Sequence, residues 1–561
     1  MTHVAAQRAT GWHRLWLWTL LLLYLFLTCY QLGLPGLHYD EAREAGVNAV
    51  ELLTGAPVTL FRETGLRLFG QAWPLMVQDY IGALNVYLAL PLLWLTGIGV
   101  PNMRIVAVLT GAITLLLVER TVTEWLAFNT TPNDQQTKLP LSRAGLIAVT
   151  LLAASPSFVF WSRQGIFVTN LTQPLVFAAL WQGLRWLRTG RGRHLCRAAF
   201  WGGAALYAKL LAIWIVGPFV LLATGWWLWR GRRSASPVQL SPALLLGTIG
   251  CFFVPLAPLL WFNWQSGGTM RSLIGNLGTS YYGVDNLAIW SNLGVRLGQV
   301  WQMIVGEHFW YLGGLYGNDI AGWATLLLLP LAVLSAAGSR AWRAELLAPL
   351  LLLLLAFSAS LFTLSDLFIT HYALLQPLTI AVVAVTLQTF CFTPPPPLHR
   401  LLPKLGYLVV GLWLLFDLTA SVRYHRALTM SGGLADHSDA SYHLAYYLQY
   451  NGLGAPLALD WGFDAPVRFL SRGTVTPIEL FGYGSPQQPD ADFAPRLRPF
   501  LANPANVYLL HAPSAVVFQG RRELFLQMVA AERQTAHLAM SFAQRDGTPL
   551  YEVWRVRDAP D

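Results

Sequence analysis

A succession of apolar runs constrains this chain more than any other feature. Each runs roughly 18 to 22 residues, the length at which a helix crosses a hydrocarbon core of about 30 Å. They fall at approximately 14–33, 78–97, 102–119, 143–160, 167–187, 198–229, 241–263, 321–338, 345–363, 370–390 and 405–420. Lipid offers the backbone no hydrogen-bond partner, so each run is expected to be a helix. Over 561 residues, 55% are hydrophobic, 12% are charged and the mean hydropathy is +0.46. Such a surplus has to face lipid, which excludes a soluble fold. The 198–229 run is too long for one span and Lys209 interrupts it, so two short helices meeting near Lys209 are expected. The first run is expected to remain as a span, because its apolar stretch is long and no small-residue cleavage site precedes the acidic segment after it.

Orientation follows from the arginines. Arg8 and Arg14 precede the first span, Arg188, Arg191, Arg193 and Arg197 crowd one loop, and Arg230, Arg232 and Arg233 fill another. Arg340 with Arg343 and Arg400 with Lys404 mark two more, so all these loops read as cytoplasmic. The N-terminus is then cytoplasmic, and residues 34–77, 264–320 and 421–561 lie outside an inner or plasma membrane. The formal charge of +9 is mostly topological, and no nucleic-acid partner is expected. Inside and outside termini require an odd number of crossings, whereas the runs give about twelve. About 11 to 13 spans are therefore expected, with a segment between 78 and 187 broken, re-entrant or split into two short helices. Cys29, Cys196, Cys251 and Cys391 show no paired or metal-ligand spacing, and the Asn-X-Thr matches at Asn129 and Asn170 carry no weight.

Composition shifts near residue 421, after the stiff turn Pro394–Pro397. The chain thus divides into a membrane module, 1–420, and an extracytoplasmic domain, 421–561. In the latter, strand patterns at Leu457–Trp461, Val475–Leu480, Val507–His511 and Tyr551–Val556 alternate with helical ones near 439–450, 491–502 and 520–533. That alternation predicts a small three-layer α/β domain. Asp460 and Asp464 flank a strand end, where turn capping is the simpler role.

The most informative residues follow the first span directly. In Leu37-His38-Tyr39-Asp40-Glu41, two adjacent carboxylates precede an amphipathic pattern in which Ala42, Ala45, Ala49 and Leu52 oppose Glu41, Glu44, Asn48 and Glu51. This predicts a helix along the membrane surface, capped by Asp40 and stopped by Gly55 and Pro57. N-capping accounts for the carboxylates without function. The sharper reading is a catalytic pair, with Asp40 removing a proton from an incoming hydroxyl and Glu41 orienting it, or both holding a divalent metal.

With these residues the chain resembles the polyprenyl-phosphate-sugar-dependent glycosyltransferases of the membrane C-type (GT-C) fold. Within them it is most similar to the family 39 group, which includes protein O-mannosyltransferases and the lipid A aminoarabinose transferase. The resemblance covers roughly residues 14–420 and rests on the order of short motifs. It places Asp40 and Glu41 on the family's acidic pair and Asp79, in Gln78-Asp79-Tyr80, where relatives often carry a basic residue. Arg104 matches a common arginine, and Ser155-Pro156 with Trp161-Ser162-Arg163 resembles a Pro then Ser-Arg stretch. Lys209 matches a lysine after a glycine-rich helix, and His371-Tyr372 resembles an Arg-Tyr pair.

The resemblance implies a sugar transferred from a polyprenyl phosphate to a protein, lipid or glycan acceptor at the outer face, with no soluble nucleotide-sugar site. The leaving group is already a phosphate anion, so cations are needed more than a strong acid. Lys209 and Arg163, with Arg271 or His371 and Tyr372, are the expected phosphate-binding residues. Snorkelling of Lys209, helix capping by Arg163 and a satisfied interface histidine at 371 are the bland alternatives. Asp79, Asp285 and Glu307 are second-rank acids. Trp261, Trp264, Tyr281, Tyr282, Trp290, Trp301, Trp310, Tyr311 and Tyr316 form either an acceptor-side sugar wall or a membrane-interface belt. A transporter or lipid-linked sugar flippase is the rival class, although no internal repeat supports it.

Overall fold

Every apolar run contains a helix among its described residues, although the run from 78 opens in a hairpin and is helical only over Leu84–Thr96. The computed structural model describes residues 2–127, 142–164, 169–231, 240–280, 283–338, 340–362, 367–392 and 400–558. Asn129, Arg232, Arg233, Tyr281, Tyr282 and Pro394–Pro397 lie outside the described residues. Among those described, six helices are long and apolar enough to cross a membrane: Gly11–Cys29, Val100–Leu126, Leu210–Trp229, Pro242–Ser266, Asp319–Ala337 and Leu402–Ser431. Shorter apolar helices lie at Leu84–Thr96, Leu346–Ser360 and Gln376–Phe392. Thr169–Thr189 is less apolar than these helices for a physical reason. It buries Thr169, Asn170, Thr172 and Gln173 against other helices, so it need not be apolar.

Two breaks follow from local chemistry. Arg143–Ala153 and Pro156–Gln164 meet at a 67° bend, because Pro156 has no N–H to continue the helix and disfavours helical geometry at Ser155. This is a broken segment in the stretch where the crossing count demanded one. The second break is at Lys209, which leaves the Gly192–Ala208 helix in an extended conformation (φ −155°, ψ 123°) and pairs with Ile81 of the loop after the first span. The Leu210 N–H then donates to the Tyr80 carbonyl at 3.0 Å, satisfying a backbone group the helix has lost. The chain re-enters a helix at Ile213–Gly231.

The loop after the first span, expected to be an outer one, carries two hairpins, β1 (Gly65–Leu68) with β2 (Gln71–Pro74) and β3 (Met76–Gln78) with β4 (Ile81–Gly82). The expected surface helix is instead three pieces, Tyr39–Glu41, a π-turn Ala42–Gly46 and Val47–Thr54, ended by Gly55 at φ 72°. It does not lie against lipid. Asn48 and Glu51 on its polar face are buried, and Glu51 accepts from Asn48 (2.9 Å), the Thr59 N–H (2.9 Å), the Thr59 hydroxyl (2.7 Å) and Arg468 (3.1 Å). The partner that covers this face is the C-terminal domain, a contact no local pattern announces.

The composition shift near residue 421 falls inside the last long helix, which runs on to Ser431. Beyond it, β5 (Leu457–Ala458), β6 (Ile478–Glu479), β7 (Val507–His511), β8 (Gln534–Ala543) and β9 (Pro549–Asp558) form one sheet in the order β6-β5-β7-β9-β8. The first three strands are parallel and the last two antiparallel. Ala440–Tyr450 and Asp464–Leu470 bury one face of the sheet, while Phe493–Leu501 and Arg521–Ala531 bury the other. The three-layer α/β expectation holds. Strand β8 and the Asp464–Leu470 helix had no clear pattern in the sequence, since β8 is a half-exposed edge strand. Asp464–Leu470 packs on the Tyr39–Thr54 segment, with Phe469 against Gly46. Gly36 serves the same docking: a Cβ there would lie 2.1 Å from the Ser438 carbonyl oxygen.

Candidate active site

The docking encloses a cavity of about 810 Å³ between the loop after the first span, the His371 segment and the carboxyl ends of β5 and β6. Asp40 lines it. His38, in extended conformation, caps the short helix: its Nδ1 accepts the Asp40 N–H at 3.1 Å. Asp40 is therefore not the N-cap that the sequence suggested, and its own carboxylate takes no hydrogen bond among the described residues. Burial raises its pKa, reinforced by Asp436 and opposed by His38 and Lys209. The carboxylate is thus left open to the cavity.

Glu41, its neighbour, is engaged in full. Arg104 grips it bidentately (2.6 and 2.8 Å) and donates further to the carbonyls of Leu32 and Pro35 at 2.9 Å each, all within a buried cluster. Glu41 thus anchors the loop, and the expected pairing of Asp40 with Glu41 around a metal is unsupported because both Glu41 oxygens are committed to Arg104. Arg163 is also an anchor. It is wholly buried, and one guanidinium nitrogen donates to the carbonyls of Tyr30 and Gln31 (2.7 Å each) and Leu34 (3.1 Å), in the turn that follows the first span. The other meets His425 Nδ1 at 3.1 Å. Its guanidinium is thus engaged with that turn, and it does not line the cavity, unlike the phosphate-facing position expected of it.

The remaining expected residues divide. Lys209 is buried behind Asp40, donating to the Thr169 hydroxyl at 3.2 Å, with Glu44 and Asp40 in electrostatic range. His371 lines the cavity from the 3-10 turn Ile369–Leu374. Tyr372 does not. Its hydroxyl pairs with Ser360 at 2.8 Å and the Arg296 guanidinium stacks on its ring. Asp79 is held bidentately by Arg62 (2.7 Å twice), Asp285 is exposed and caps the Leu287 N–H (2.8 Å), and Arg271 is exposed away from the cavity wall. Trp261, Trp264, Trp290 and Trp310 are exposed and none lines the cavity, so they suit an interface belt and not an acceptor wall.

Residues not singled out in the sequence complete the site. Asp436 lines the cavity and accepts from His38 Nε2 at 3.0 Å, while His437 Nε2 faces its other oxygen at 3.9 Å. His38 and His437 stack at 4.4 Å, and Tyr311 stacks on His437 at 3.9 Å. Burial opposes the Asp436 charge, but His437 and His38 outweigh it and hold the carboxyl well below its ordinary range. Two cavity carboxylates are thus pushed apart, Asp40 up and Asp436 down. His38, Asp436 and His437 bring ligand atoms within 4.8 Å of one another, the donor set closest to a metal centre among the described residues. The fit is poor: ligation through His38 Nε2 would move its proton to Nδ1, which already accepts the Asp40 amide.

Arg43 adds a cation at the cavity wall, and from the C-terminal domain come Trp461, Asp464, Arg468, Glu479 and Tyr483. Asp464 is paired with Arg468 at 2.6 Å. Asp460 is structural, taking the amides of Val517 (3.0 Å) and Phe518 (2.8 Å) and His511 Nδ1 (3.0 Å). A usable signal for the missed groups did exist: His38 and Arg43 flank the acidic pair, and Asp436-His437 follows the last span as Tyr39-Asp40 follows the first.

The solved structures similar to this chain are of GT-C fold membrane glycosyltransferases, and this chain is a multi-pass membrane protein of that fold. It is similar to ArnT from Cupriavidus metallidurans in the apo state, with a TM-score of 0.61 at 12% identity over 97% of this chain and 98% of that one. ArnT bound to undecaprenyl phosphate matches with a TM-score of 0.60 at the same identity and coverage. Arabinofuranosyltransferase AftD from Mycobacteria matches with a TM-score of 0.52 and 15% identity, over 98% of this chain and 40% of AftD. No protein-family model matches the sequence, and no curated protein matches it.

Proposed function

We propose that this protein transfers a sugar from a polyprenyl-phosphate-linked donor to a protein, lipid or glycan acceptor at the outer face of the membrane, by single displacement with inversion. The observation that carries this reading is the Asp40 carboxylate, buried enough to have a raised pKa, free of hydrogen bonds among the described residues and open to an 810 Å³ cavity. Support comes from the fold, since one similar structure, ArnT, is bound to undecaprenyl phosphate. Asp40 takes the proton of the attacking hydroxyl. Lys209, Arg43 and His371 surround it with cationic or N–H donors that stabilise charge building on the departing phosphate. Asp436, kept ionised nearby, disfavours a second negative charge on Asp40 and so favours its protonation as transfer proceeds. The direct test is transfer of radiolabelled sugar by the purified protein from a panel of polyprenyl-phosphate sugars, with transport across liposomes followed in parallel. Transport without transfer from any donor overturns the reading in favour of the flippase.

Two further expectations belong to this reading. With the arginine-rich loops cytoplasmic, protease added to intact spheroplasts removes the domain beyond residue 431 and spares the Arg188–Arg197 loop; protection of that domain reverses the orientation. Lys209→Met raises the KM for the donor about tenfold with a smaller change in kcat, the loss of one charge-assisted contact. Parental donor kinetics in a variant that folds would reduce Lys209 to its bond with Thr169.

A further inference from the structure

We infer that Tyr39, Trp461, Glu479 and Tyr483 form a subsite for a sugar ring carrying two adjacent free hydroxyls, on the C-terminal-domain side of the cavity. The inference deepens the transferase reading and rests on it for the origin of that sugar. In α/β sheets, ligands bind in the crevice outside the carboxyl ends of parallel strands. Here that edge is turned toward the membrane module: Trp461 follows β5, Glu479 ends β6, and both line the cavity with Asp40. A domain that merely decorated the bundle would have no reason to present this edge.

The chemistry at the edge is that of hydroxyl recognition. Glu479 Oε1 accepts from the Tyr39 hydroxyl at 3.2 Å and Oε2 from the Tyr483 hydroxyl at 2.9 Å. Each carboxylate oxygen offers about two acceptor positions, and the phenols take one apiece. The phenol oxygens lie 3.3 Å apart, so the two hydroxyls and the carboxylate converge on one spot. Alongside, the Tyr39 and Trp461 rings meet at 4.7 Å and 40°, an aromatic corner suited to the C–H face of a pyranose or furanose. A fixed cation is a poor occupant, because Arg43 already acts on Glu479 and Arg468 neutralises Asp464. Burial, with Asp464 nearby, pushes Glu479 up to about 7, so near neutrality its carboxyl both accepts and donates, as vicinal hydroxyls can match.

The test uses the full chain in a detergent without sugar headgroups, with methyl glycosides of mannose, galactose and arabinose and their 2-deoxy analogues as probes in saturation-transfer NMR. The expected result is saturation of the ring protons of at least one glycoside by the parent, with the deoxy analogue weaker. Trp461→Ala and Glu479→Gln each weaken binding at least about tenfold, while Tyr483→Phe, a milder change at a half-exposed side chain, gives a smaller loss. Absence of binding to every glycoside by the parent overturns the subsite, as does undiminished binding in those variants that melt like the parent. The source of the sugar is read from kinetics: a raised KM for donor alone assigns the subsite to the transferred sugar, and for acceptor alone to an acceptor glycan. Glycoside binding by a parent inactive with all donors keeps the subsite and removes the transferase reading. Active transfer with binding indifferent to all three substitutions does the reverse.

Discussion

Asp40→Asn is expected to yield a protein that inserts and melts like the parent yet transfers sugar at least about a hundredfold more slowly at saturating donor. The structural cost is small because His38, not Asp40, caps the helix, and the Asp40 carboxylate takes no hydrogen bond among the described residues. The chemical cost is large because a carboxamide cannot accept the proton of an attacking hydroxyl, and loss of a general base typically costs about 10²- to 10⁴-fold. The parent should also lose activity on the acid side through a pKa above that of an ordinary aspartate, since burial raises this group and only its ionised form is a base. That acid limb should vanish in the variant. Near-parental turnover of Asp40→Asn would exclude Asp40 as the base and move the search to Asp436, the other cavity aspartate left unpaired by arginine.

Arg104→Met, in the Val100–Leu126 helix, should be the single change that most destabilises the Leu32–Glu41 segment it holds. It leaves Glu41 charged, buried and unpaired and strips donors from the carbonyls of Leu32 and Pro35. Breaking one partner of a buried ion pair typically costs about 3–5 kcal/mol, more than desolvated replacement of both. Thermal melting in detergent should therefore fall sharply for Arg104→Met and recover in part in Arg104→Met combined with Glu41→Leu. Activity would be lost together with the fold, which separates this variant from Asp40→Asn. A single variant that melts like the parent would show that the pair does not hold the loop.

These two predictions concern residues whose roles the sequence could rank only by resemblance. Hydropathy and local chemistry determined much of the fold: where the apolar helices lie, that the chain breaks at Lys209 and somewhere between 78 and 187, that an α/β domain follows, and that a carboxylate leaves the first span at residue 40. Each of these is written in the period, the length or the nearest neighbours of a segment. Which of two adjacent carboxylates stays open was decided by Arg104, 63 positions beyond Glu41. Whether Arg163 meets a phosphate or the turn after the first span was decided by the carbonyls of Tyr30, Gln31 and Leu34, more than a hundred positions before it. The cavity wall joins Tyr39 to Glu479 across 440 positions, a contact made only when the C-terminal domain docks. Hydrogen bonds and ion pairs act over a few ångströms of space irrespective of separation along the chain, so only the packed structure could assign those residues their partners, and with them their roles.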